Sequence, residues 1–115
     1  MNSPDIQIAS VKNVYTRQMR FVRTGDVEQG HVHQFDHLTL LATGSLRVNV
    51  NGTTTDYKAP HMIWIHKDVM HELVALENNT VAYCIHAHRD LDGEIISPDM
   101  VPNGVLQNTE DKIRG

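Results

Sequence analysis

Leu46, Val48 and Val50 alternate with Arg47 and Asn49, and strict alternation of apolar and polar positions predicts a half-buried strand. Asn51-Gly52 follows; both residue types accept positive φ, so the pair predicts a tight hairpin with residues 53–58 as the return strand. Upstream, residues 37–42 form an apolar, β-compatible run that stops at Thr43-Gly44. Downstream, Pro60 introduces a strand over 62–65. Residues 71–76 form another, with Leu73 and Ala75 on the face of His71, and residues 77–80 make a turn before a last clear strand over 81–88. Nearer the start, 11–15 and 19–22 each suit a short strand, and Thr24-Gly25-Asp26 reads as a turn. An N-terminal strand of this kind covers a sheet edge or pairs with a partner subunit. No stretch carries a helical period of useful length, and the breakers from Leu91 onward predict a loop or edge-wrapping tail. Many short strands with turns between them predict an all-β sandwich or barrel.

A two-residue turn at Asn78-Asn79 would place Leu73 opposite Cys84 and His71 opposite His86. A jelly roll would instead divide these strands between two sheets. In either case Cys84, His86 and His88 alternate with Tyr83, Ile85 and Ala87.

The chain has 115 residues, which suits a single domain over 1–115. A net charge of -4 with no basic stripe argues against nucleic acid as a partner. No apolar run reaches the ~20 residues of a membrane span, and residues 1–10 lack the pattern of a secretory signal. The single cysteine, Cys84, fits a reducing compartment, so a cytoplasmic location is the expectation. All eight histidines fall between His31 and His88, and this clustering is what turns a generic β domain into a candidate site.

His31, His33 and His37 stand at i, i+2 and i+6, spacings that share one face of an extended chain. Imidazoles converging from one sheet face make most of a transition-metal site, and His71 supplies a fourth donor. Gly30, His31, His33, His37 and Gly44 resemble, in spacing, the first motif of the cupins, with His37 where most members carry glutamate. Pro60, His66, Asp68 and His71 resemble the second motif in a degenerate form that keeps the ligand histidine alone. The resemblance spans about residues 30–88 and matches the four-histidine variant among small single-domain cupins. It implies a cupin-type double-stranded β-helix: a jelly-roll barrel of two antiparallel sheets, metal inside one end, often as a homodimer. It also implies a divalent transition metal (Fe, Mn, Ni, Zn or Cu) on His31, His33, His37 and His71. Four neutral ligands leave the ion its full charge, which favours an anionic substrate or a polarised oxygen.

His86 is the candidate acid/base or substrate contact, weighed against a polar residue at the barrel mouth. Cys84 divides between core residue and pocket wall; His61 and His66 read as surface or structural, Trp64 as core or interface, and Asp36 as solvated. The function expected is a metal-dependent enzyme acting on a small oxygen-rich molecule, dioxygenase-like, with sugar-acid lyase or isomerase chemistry also open. The rival readings are a non-catalytic, metal-stabilised domain that binds or senses a small ligand, and a cupin that has lost its metal.

Overall fold

The computed structural model describes residues 2–31, 35–101 and 103–107. Among the described residues ten strands form two antiparallel sheets. They are β1 (Asp5–Val11), β2 (Val14–Phe21), β3 (Val27–His31), β4 (His37–Thr43), β5 (Ser45–Val50), β6 (Thr53–Lys58), β7 (His61–Ile65), β8 (His71–Ala75), β9 (Thr80–Ala87) and β10 (Gly104–Gln107). One sheet runs β10-β1-β2-β9-β4-β7 and the other β3-β8-β5-β6. Among the described residues the only helix is a three-residue 3-10 turn, Pro98–Met100, and none is long and apolar enough to cross a membrane.

The period-2 pattern decides which side chains enter the core. Along β2, Tyr15, Met19 and Phe21 are buried; along β5, Leu46 and Val48; along β8, Leu73 and Ala75. With Ile6, Ile8, Leu41, Ile63, Ile65 and Ala82 they fill the space between the sheets. The Asn51-Gly52 hairpin forms as its residues dictate, both at positive φ, and pairs Val50 with Thr53. Gly44, also at positive φ, packs so closely on Thr80 that a Cβ would collide with that side chain and backbone. That contact draws the β4–β5 turn onto the start of β9. Thr80 Oγ1 seals it by donating toward the Ser45 and Glu77 carbonyls and accepting from the Ser45 amide.

Two expectations are corrected. Lys12, at positive φ, and Asn13 make a turn between β1 and β2, so 11–15 is not one strand. His31 ends β3 in the smaller sheet and His37 begins β4 in the larger, so the two do not share one sheet face. Two open alternatives are narrowed. Strands β8 and β9 belong to different sheets, the jelly-roll arrangement, and the 77–79 turn crosses from one layer to the other. Trp64 is exposed on β7, an edge strand, which removes the core reading. The tail behaves as expected, with β10 wrapping onto the β1 edge.

Candidate functional site

The ladders arrange cross-strand neighbours in rows. In the larger sheet Tyr15 pairs with His86, and one step beyond the Leu38–Ile85 pair His86 meets His37, which pairs with Ile65. In the smaller sheet His31 pairs with His71, and His71 with Val50, which pairs with Thr53. The two rows, Tyr15–His86–His37–Ile65 and His31–His71–Val50–Thr53, are the same rank of two opposed sheets. This is how histidines far apart in sequence come to one end of the interior.

A bulge sets the register of β3. Glu28 pairs with Leu73 and His31 with His71, so Gln29 and Gly30 together oppose one residue of β8. Positions three apart on a regular strand would oppose residues on different faces; here both oppose inward residues of β8. Gly30 is required there, because a Cβ would run into the His71 carbonyl. The glycine that opens the first motif is thus the residue that lets β3 press against His71.

His37 and His71 are buried at 5 % exposure each, and their ring centroids lie 5.5 Å apart. An ion ~2.1 Å from a ring nitrogen sits about 3.2 Å from the ring centre, so two rings sharing one ion have centres no more than about 6.4 Å apart. The His37–His71 pair fits that limit from two different sheets. His86, 6.4 Å from His37, stands at the limit and fits a neighbour of the ion better than a ligand. Among the described residues no group of three or more His, Cys, Asp or Glu side chains is arranged to hold an ion. Of the other two expected ligands, His31 is placed by register opposite His71, and His33 lies outside the described residues.

His86 is held by three contacts. Its ring stacks on Tyr15 at 4.6 Å, meets Phe35 at 4.7 Å, and its Nδ1 donates to the Ala87 carbonyl at 2.8 Å. That hydrogen bond leaves Nε2 with the lone pair in the neutral ring. Burial pushes the His86 pKa below the ordinary value of 6.5; the Ala87 bond opposes the shift, and His88 and Arg89 add to it. A depressed folded pKa contributes stability that is present above the unfolded value and lost as pH falls through the folded one. The chelator-treated protein is therefore expected to lose stability on acidification below about pH 6.5, and His86→Phe to flatten that loss, read as urea midpoints across pH.

Tyr15 and Phe35 were not singled out by sequence. Tyr15 alternates with Arg17, and that arginine hides the apolar period of β2. Phe35 carries the Arg89 guanidinium 4.9 Å from its ring centre. Asp36 is exposed and accepts from the Lys67 amide at 2.7 Å, which ties the first histidine motif to the loop before His71. Cys84 packs on the core beside Thr39; burial raises its pKa and keeps the thiol protonated, which fits a core residue rather than a reactive one. His61 and His66 are exposed, against Tyr57 and Trp64 respectively. His88 accepts from, or donates to, the Ser10 hydroxyl at 2.9 Å.

Residues 23–103 match the family described as the AraC-like ligand binding domain. No curated protein sequence matches the chain. Solved structures share the fold. KdgF from Halomonas sp. is 22 % identical, with a TM-score of 0.63 over 75 % of this chain and 80 % of that one. A cupin superfamily protein from Desulfitobacterium hafniense is 12 % identical, with a TM-score of 0.64 over 76 % and 80 %. A cupin-2 domain protein from Shewanella frigidimarina is 18 % identical, with a TM-score of 0.58 over 69 % and 74 %.

Proposed function

The chain belongs to the AraC-like ligand-binding domain family and has the fold of the small cupin barrels, and on that premise we propose that it is a divalent-metal-dependent enzyme acting on a small oxygen-rich molecule. The ligands in this reading are His31, His33, His37 and His71, and His86 is the acid/base group. The observation that carries the reading is the His37–His71 pair: two buried imidazoles from opposite sheets, 5.5 Å apart. Two imidazoles at this separation can share one cation with imidazole affinity.

When bound, the metal supplies Lewis-acid polarisation of a substrate oxygen, or oxygen activation where the ion is redox-active. The chain supplies the rest. Tyr15 and Phe35 hold the His86 ring, and the Ala87 carbonyl fixes which nitrogen bears the proton. Nε2 is then free to accept a proton from a bound hydroxyl or enol and to return it. Its lowered pKa keeps it in the basic form at neutral pH.

The test is turnover by the metal-loaded protein, aerobic and anaerobic, against small diketones, phenols and sugar acids. His86→Gln is expected to keep its metal and lose about 10²–10⁴-fold in rate. Binding without turnover of any of these would favour the second reading, a non-catalytic ligand-binding domain, which the family description favours.

A further inference from the structure

The histidine rows end in a chamber. Val50 and Thr53 close one row and Ile65 the other, and these residues border a cavity of about 360 Å³ between edge strands β6 and β7. Its apolar wall is Val48, Val50, Ile63 and Ile65, and Asn51, Thr53, Thr55 and Tyr57 add polar groups from the β5–β6 hairpin and the inner face of β6. Among the described residues no charged side chain lines it. The volume is roughly twice the ~150 Å³ that houses benzene in an engineered protein cavity, and within the usual range for small-ligand pockets.

We propose that this chamber holds the body of the substrate, and that the substrate is an uncharged, compact apolar molecule, ring-bearing or branched, ending in a hydroxyl or carbonyl oxygen. The inference rests on the metal-dependent reading for where that oxygen goes, and on the cavity alone for the body. Lateral neighbours in an antiparallel ladder share a face about 5 Å apart. A body seated against Val50 and Ile65 therefore carries its end group to His71 and His37. A charged ligand would bury its charge beside four aliphatic side chains with no charge to answer it, which is unfavourable. The Thr53 and Thr55 hydroxyls, with the polar groups of Asn51 and Tyr57, give neutral hydrogen bonds that orient the body and offer no counter-charge.

Manganese-loaded protein is titrated with 2-naphthol and with gluconate, followed by calorimetry, with metal content measured in parallel. The expected result is a Kd for 2-naphthol at least tenfold below that for gluconate. Thr55→Phe, which places a ring in the chamber from an exposed edge position, is expected to weaken 2-naphthol binding at least tenfold at unchanged metal content. Thr54→Phe, of equal bulk on the opposite face of β6, is expected to leave it unchanged. Gluconate binding as tightly as 2-naphthol, or equal effects of the two variants, would overturn the proposal. So would a change of oligomeric state in Thr55→Phe, which would make the chamber a contact between copies. Loss of metal from the wild type with Thr55-sensitive 2-naphthol binding intact would sink the enzyme reading and leave the chamber assignment standing.

Discussion

Replacing Arg17 with alanine is expected to destabilise the fold by about 3–5 kcal/mol, the cost of leaving a buried partner charge uncompensated. Arg17 points inward from β2 in the larger sheet and forms an ion pair with Glu28 on β3 of the smaller sheet. Both are nearly out of solvent, at 8 % and 9 % exposure. The pair sits one rank below the histidines, where Arg17 neighbours Cys84, Cys84 neighbours Thr39, and Glu28 opposes Leu73. Removing the guanidinium strands the Glu28 carboxylate among these groups. The double variant Arg17→Met with Glu28→Leu is expected to recover most of the loss, because it removes both charges and keeps the volume. Urea unfolding of the three proteins decides it. A single-variant loss under about 1 kcal/mol would mean that water reaches the pair and that it behaves as a surface salt bridge.

The second large effect is on the metal. His37→Ala is expected to lower metal affinity by on the order of a hundredfold or more, since even loss of a residue that merely orients a ligand costs 10–100-fold. The same variant removes the stabilisation that bound metal gives, about 2.7 kcal/mol at a free concentration one hundred times Kd. His37 is a sharper choice than His71. His71 also donates from Nδ1 to the Val69 carbonyl at 3.4 Å, so its replacement disturbs the loop before β8 as well as the site. His66→Ala, on the exposed side chain stacked against Trp64, is the control expected to change neither metal content nor melting temperature.

Local chemistry made much of the chain legible. The β5–β6 hairpin, the strand before Gly44 and the His71–Leu73–Ala75 face follow from alternation and turn residues alone. What stayed hidden depends on which strands meet. Asn78-Asn79 has the composition of a hairpin turn, yet the chain there changes sheets: Leu76 donates to Ser45, continuing the β8–β5 ladder of the smaller sheet, and Asn79 donates to Val22, opening the β9–β2 ladder of the larger one. Lys12 adopts positive φ without being glycine or asparagine, so composition gave no sign of the β1–β2 turn. In the candidate site, His37 and His71 could be chosen from motif spacing, and His86 from alternation along β9. Tyr15, Phe35 and the Arg17–Glu28 pair could not, since each acquires its role from a cross-strand or cross-sheet partner. The bulge at Gln29–Gly30 is likewise set by tertiary contact with His71.

The central claim is that imidazoles of this barrel hold one transition metal, and elemental analysis of untagged protein tests it most directly. After loading and desalting, about one equivalent of iron, manganese, nickel, zinc or copper per chain is expected in the wild type and in His66→Ala, and a small fraction of that in His37→Ala. No metal above background in the wild type, or equal metal in the wild type and His37→Ala, would contradict it.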